Sequence, residues 1–334
     1  MPKQAPNQVP SLAVRYASWF KVGAAVNHRT IATHAELIRQ HFNSITAENE
    51  MKFESLHPKP HTFDFGPADD ILDFAKQNGI QMRGHTLVWH NQTPHWVFQN
   101  DSGEVRSRAE LLGTMRHHIH TVMGHYQGNM YCWDVVNEAV SDEGETLLRP
   151  SRWREQVGED YLAQAFWYAH EADPEAQLFY NDYNETNPTK REKIYRLVKD
   201  LLDQGVPIHG IGLQGHFKLD GIVLDEVKAA IERYASLGVR LQVTELDISL
   251  YDLGDRRKDI TYPDPERLAQ QAERYEELFD LFRQYASVID AVTTWGVADD
   301  ETWLDGFPVK GRKDWPLLFD VEHQPKPALA HLLR

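Results

Sequence analysis

Two glutamates stand at the ends of short apolar segments. Glu138 closes Trp133-Asp134-Val135-Val136-Asn137-Glu138, and Glu245 closes Leu241-Gln242-Val243-Thr244-Glu245. Two carboxyl groups flanking one bond, one protonated and the other ionised, are what glycoside hydrolysis needs. A lone glutamate in such a place is as often a structural ion-pair partner. Two of them, among neutral hydrogen-bonding groups and tryptophans, are harder to explain that way. The other segments of this kind also finish in polar or aromatic residues: Glu48-Asn49, His85 through Trp89, Asn181-Asp182-Tyr183, Gln214-Gly215-His216, Asp247 and Trp295. Amides, histidines and hydroxyls fit sugar hydroxyl groups, and indole faces stack on sugar rings. Nine tryptophans fill a core and leave several for a site.

Other chemistries find little footing. The chain has no G-x-x-x-x-G-K-[ST], no H-E-x-x-H and no G-x-S-x-G. Gly210-Ile211-Gly212-Leu213-Gln214-Gly215 matches G-x-G-x-x-G, but its glycines lie within a strand and no helix follows. His117, His118, His120 and His125 share one polar helical segment and read as a solvated face. The single cysteine, Cys132, sits in an apolar run and reads as a buried structural thiol. No metal and no cofactor are expected.

Positioning such a site takes a frame, and the chain repeats one. Short β-branched or aromatic segments predict strands over Phe20–Asn27, Asn43–Asn49, Gln81–Trp89, Met130–Asn137, Gln177–Tyr183, Ile208–His216, Arg240–Asp247 and Ala291–Gly296. Apolar spacing of three and four predicts helices over Thr33–His41, Ala68–Asn78, Arg108–His125, Asp160–Glu171, Thr189–Gln204, Leu224–Leu237, Pro265–Tyr285 and Pro327–Arg334. Gly79, Gly205 and Gly238 fit helix ends that need a left-handed residue. Eight such units imply an α/β fold with a parallel sheet covered by helices. Eight parallel strands close into a (β/α)8 TIM barrel, whose active site lies at the C-terminal ends of the strands. An open doubly wound sheet is the alternative. Glu138 and Glu245 then end the fourth and seventh strands, which face each other across the mouth of the barrel.

Composition sets the outer limits. The 334 residues are 41% hydrophobic and 25% charged, ordinary for a folded chain, and one catalytic domain over residues 1–334 is expected. A net charge of −15 repels phosphate backbones and anionic lipid, so no nucleic acid and no membrane partner is expected. The apolar runs are far shorter than the roughly 18 residues of a membrane span. The first residues show no signal-like apolar stretch, which gives a cytoplasmic location as the expectation. Nothing in the sequence sets the oligomeric state.

With these residues in view, the chain resembles the family 10 glycoside hydrolases, the endo-β-1,4-xylanases. Val135-Val136-Asn137-Glu138-Ala139 is similar to the family's acid/base signature, and Val243-Thr244-Glu245-Leu246-Asp247 to its nucleophile signature. The resemblance extends in order through Thr46-Ala47-Glu48-Asn49-Glu50-Met51-Lys52, Arg83 to His90, Asn181-Asp182-Tyr183-Asn184, Gly212 to His216 and Thr294-Trp295-Gly296-Val297. It is greatest to the intracellular xylanases of Bacillus-like bacteria. It implies a (β/α)8 barrel and a retaining double displacement on xylan or xylooligosaccharides through a covalent glycosyl-enzyme.

The resemblance further implies that Glu138 is the acid/base, Glu245 the nucleophile and Asn137 the holder of the 2-hydroxyl. It gives Glu48, Asn49, Lys52 and Gln92 to the non-reducing side, and His85, Trp89, Gln214 and His216 to the cleavage subsite, with Asp247 orienting His216. Trp295 and Trp303 would wall that region, and Tyr183 would face the leaving group. The alternatives are a β-1,4-glucanase or other β-glycanase on the same scaffold, a carbohydrate-binding protein with an inactive pair, and a metal-dependent barrel hydrolase.

Overall fold

Strands that are apolar on both faces need cover on both, and a closed barrel with helices outside supplies it. The computed structural model describes residues 9–252 and 254–334. Its strands are β1 Lys21–Val26, β2 Ser44–Ala47, β3 Gln81–Trp89, β4 Met130–Asn137, β5 Gln177–Asp182, β6 Gly210–Leu213, β7 His216–Lys218, β8 Arg240–Ser249 and β9 Ile289–Thr294. Every pairing between them is parallel. The ring runs β1 to β6 in order, then β8 and β9, and β9 returns to β1 with Val22 opposite Val292. The result is the (β/α)8 barrel expected from the strand count.

The main outer helices are α1 Ala35–His41, α2 Gly66–Gln77, α3 Arg108–His125, α4 Tyr161–Ala172, α5 Pro188–Asp203, α6 Leu224–Ala235, α7 Pro265–Gln284 and α8 Pro327–Leu332. Their ends follow local chemistry. Asn187 caps α5 by accepting the N–H groups of Thr189 and Lys190, and Pro188 takes the first helical position. Gly79, Gly205 and Gly238 follow α2, α5 and α6 with φ of 66°, 76° and 77°. No helix among the described residues is long and apolar enough to cross a membrane.

The structure departs from the sequence reading in four places. The sixth predicted strand is broken. Gly215, at φ 75°, turns the chain and leaves β6 and β7 as separate pieces, and β7 pairs with the far end of β8, His216 opposite Asp247. Because β7 and β9 extend that ladder, β8 continues to Ser249, so Glu245 lies inside a strand and not at its end. The helix expected over Thr33–His41 is interrupted at His34, which stands between Thr30–Thr33 and α1. And His118 belongs to no solvated face. It falls on the inward stripe of α3 with Leu111, Met115 and Val122, fully buried, its ring stacked 3.6 Å from that of Phe53.

The barrel interior is polar at its centre and tightly packed around it. Arg83 of β3 pairs with Asp134 of β4 and donates from Nε to Gln242 Oε1 of β8 at 2.9 Å, all three fully buried or nearly so. Removing one partner would strand a buried charge, so the triad fixes how three strands meet. Cys132 lies beside Gln242, and burial pushes its thiol up to about 12, which leaves it inert as the sequence suggested. Glycine on one strand makes room for a ring on the next: a Cβ at Gly84 would stand 2.2 Å from Trp133 Cε3. Gly84→Ala should therefore destabilise the fold by about 1–3 kcal/mol through overpacking. Thermal unfolding checks it, and an unchanged Tm would show that Trp133 has room to move.

Candidate active site

Both glutamates are held at the mouth by amides, not by cations alone. Glu138 follows β4 at φ 56°, a left-handed position that turns its side chain off the strand line. Its Oε2 accepts from Trp89 Nε1 at 2.9 Å and its Oε1 from Gln214 Nε2 at 3.0 Å. Glu245, 5% exposed, accepts from Asn181 Nδ2 at 2.8 Å through Oε1 and faces His216 Nε2 at 3.1 Å through Oε2. Asn137 joins the two sides, because its Oδ1 accepts from both Asn181 Nδ2 (2.9 Å) and Gln214 Nε2 (3.3 Å). The carboxyls of Glu138 and Glu245 thus hang on one amide network drawn from β4, β5, the end of β6 and β8.

The surroundings shift the two carboxyls in opposite directions. Burial would raise Glu245, but the His216 hydrogen bond, the charges of His85 and His216 and the Asn181 amide outweigh it and hold the carboxyl at about 2. Burial also raises Glu138. The Gln214 amide opposes this, the charges of Asp182 and Glu245 add to it, and the net direction is up. His216 sits between two carboxylates. Burial disfavours its charge, yet Asp247 and Glu245 push it up to about 10, so the ring is an imidazolium that donates to both. Asp247 Oδ2 is shared by His216 Nδ1 at 3.0 Å and Trp303 Nε1 at 2.8 Å.

The remaining residues named from sequence line the same mouth in three groups. On one side Glu48 accepts from Asn27 Nδ2 at 3.3 Å, and Asn49 Oδ1 accepts from both Lys52 Nζ and Gln92 Nε2 at 3.3 Å. Lys52 is buried, its Nζ 4.8 Å from the Trp89 ring centre. Burial lowers its pKa, while Glu245, Glu48 and Glu138 pull it back up. His85 forms the floor, its Nδ1 2.8 Å from Asp134 Oδ2 and its ring 5.4 Å from that of Trp295. Trp303 lies 4.9 Å from His216, ring to ring. Tyr183 belongs to a separate cluster, where Arg149 Nη2 donates to its hydroxyl at 3.0 Å and that hydroxyl bonds Asp142.

Sequence reasoning left out four residues that hold these groups. Asn181 bridges Asn137 and Glu245. Asp134 orients His85. Asp182, fully buried and 2.9 Å from Lys190 Nζ, adds negative charge near Glu138. Glu301 takes Asn27 Nδ2 at 2.8 Å and so fixes the side chain that touches Glu48. A lone charge inside an apolar strand was a usable signal for Asp134 and Asp182. Glu301 carried none, since its loop is placed only by closure of β9 on β1.

This arrangement gathers a depressed carboxyl, a raised carboxyl and a shared set of amides at one place, with the indoles of Trp89, Trp295 and Trp303 beside them. It has a pH signature. A reaction that needs Glu245 as the anion and Glu138 with its proton makes kcat/KM rise through the first pKa and fall through the second. His216→Asn removes the charge that depresses Glu245, so the acid limb should move to higher pH. An acid limb that stays in place would contradict the assignment of His216.

Comparison with known proteins gives the family. The family model for glycosyl hydrolase family 10 matches residues 11–334. The chain is 57% identical over 319 residues to endo-1,4-beta-xylanase B of Paenibacillus barcinonensis, covering 96% of each. It is 57% identical over 324 residues to an endo-1,4-beta-xylanase of Geobacillus stearothermophilus, covering 96% of this chain and 97% of that one. Among solved structures, xylanase XynB from Paenibacillus barcinonensis, complexed with a conduramine derivative, superposes with a TM-score of 0.96 at 56% identity over 98% of both chains. An endo-1,4-beta-xylanase from Caldicellulosiruptor owensensis gives 0.95 at 50% identity, over 98% of this chain and all of that one.

Proposed function

The chain belongs to glycosyl hydrolase family 10 and is a retaining endo-1,4-β-xylanase, and we propose that Glu138 and Glu245 carry its chemistry, as acid/base and nucleophile. One observation supports the assignment above the others: two carboxyls tied into one amide network are shifted in opposite directions, Glu138 upward by burial and Glu245 downward by His216 and its neighbours against its own burial.

In the first step Glu245 attacks the anomeric carbon while Glu138 gives its proton to the glycosidic oxygen. The bond to the leaving sugar breaks, and the glycone stays on Glu245 as an ester. Esterification removes the charge of Glu245. The pKa of Glu138 then falls, and the carboxylate can take a proton from water. Water adds to the anomeric carbon, the ester bond breaks, and Glu245 leaves as the anion it was. His216 keeps Glu245 ionised before attack and receives it afterwards. Asn137 meets the 2-hydroxyl, a contact that strengthens as positive charge develops on the ring.

Glu48, Asn49, Lys52 and Gln92 bind the sugars on the non-reducing side in this reading, and Tyr183 faces the leaving group. In this reading Trp295 and Trp303 exclude the hydroxymethyl group that a hexose carries and xylose lacks. Release of reducing sugar from xylan, set against a soluble β-glucan, tests this. A large preference for xylan is expected. Equal rates on both would return the β-glucanase reading.

A further inference from the structure

Three side chains remote in sequence meet on the flank where the barrel closes. His34 follows the short helix Thr30–Thr33 after β1, Asp300 lies in the loop after β9, and His323 occupies the turn before α8. His34 Nε2 is 2.9 Å from Asp300 Oδ1, and His323 Nε2 is 3.2 Å from Asp300 Oδ2. The two imidazoles face each other with centroids 4.2 Å apart, and all three ligating atoms lie within 4.8 Å of one another.

Proton counting gives the cluster its meaning. The Thr33 hydroxyl has one hydrogen, and it donates to the Arg29 carbonyl at 3.2 Å. So placed, it accepts from His34 Nδ1, 2.7 Å away, whereas in the other tautomer it donates to Nδ1 and Nε2–H donates to Asp300. A neutral His34 in the first tautomer has its lone pair on Nε2, aimed at a carboxylate oxygen at 2.9 Å. In that tautomer two lone pairs face each other at that distance, an arrangement that a cation between them satisfies. His34 is 1% exposed at its side chain, while Asp300 and His323, at 34% and 30%, leave one side open.

We propose that His34, Asp300 and His323 form a binding site for zinc or a neighbouring first-row transition metal. Two imidazoles and a carboxylate are a donor set these ions take, with water in the fourth position on the open side. The 2.9 and 3.2 Å spacings run to the two oxygens of one carboxylate, and one ligand atom from each residue lies within 4.8 Å of the others, so a modest closure brings them to the edge of about 3.3 Å that a zinc tetrahedron requires. Thr33 and the Arg29 carbonyl supply the outer hydrogen bonds that fix a ligating histidine. His323 is held at φ 61°, a conformation costly for histidine, and that backbone turns its ring toward His34. A metal here ties the segment after β1 to the segments after β9 and before α8, so it acts as a staple across the ring closure. Chelation at this site acts on stability, since none of the three residues touches Glu138 or Glu245.

The test uses the full chain stripped with EDTA and dialysed. Zinc chloride at about a hundredfold over its Kd should raise Tm by about 3–5 °C. Cobalt chloride should give the strong visible absorption of a tetrahedral ion, at one ion per chain. Both effects should disappear in His323→Asn, which suits the turn's backbone, and in Asp300→Asn. No shift in the parent chain, or a shift that persists in either folded variant, overturns the proposal. Should Asp300→Asn fail to fold, His323→Asn decides alone, because that side chain lies in a surface turn.

Discussion

Glu245→Gln should remove xylan hydrolysis almost completely, lowering kcat by about 10⁴-fold or more, as loss of an enzyme's nucleophile does. The amide keeps the volume, its oxygen accepts from Asn181, and its NH2 meets His216 Nε2 once that ring, no longer facing an anion, gives up its proton there, so the fold and KM should change little. What is lost is the lone pair that bonds the anomeric carbon. The carboxylate it replaces is held near 2 by His216, His85 and Asn181, against the burial that would raise it. Steady-state rates on xylan with matched circular dichroism check this. Activity within tenfold of the parent enzyme would take the nucleophile role away from Glu245.

Much of this was legible in the chain. The alternation of strand and helix segments pointed to the barrel, and the expected strand ends pointed to the glutamates, although β8 runs on past Glu245 to Ser249. Less legible was whatever depends on closure or on a single backbone turn. Gly215 reads as a strand residue until its φ of 75° is seen, yet that turn creates β7 and brings His216 to Asp247 and Glu245. His118 looked solvated because its neighbours in sequence are polar, although the period of α3 places it inward with Met115 and Val122. Asn181 was visible in its motif, but its bridging role needed the positions of β4, β5 and β8 together. The cluster of His34, Asp300 and His323 left no trace, since its three members come together only where β9 meets β1.

Glu138→Ala should show a loss that depends on the leaving group. A poor leaving group, such as an unactivated aryl xylobioside or xylan itself, needs the proton, and its rate should fall by about 10²–10⁴-fold. A nitrophenolate leaves without one, so formation of the glycosyl-enzyme should be nearly unaffected. Its turnover should then be limited by the second step, where the missing base slows attack by water. A burst of phenolate followed by a slow steady state is the expected trace. Equal losses on good and poor leaving groups would show that Glu138 acts through structure and not by proton transfer.

The claim on which the mechanism rests is covalent capture by Glu245. A 2-deoxy-2-fluoroxylobioside with an activated leaving group tests it directly. Fluorine at C2 destabilises the positive transition states of both steps, and the leaving group restores only the first. The enzyme should lose activity with time and gain the mass of one fluoroxylobiosyl unit, and after digestion that mass should sit on Glu245. A label on any other side chain, or continued turnover with no adduct, would contradict it.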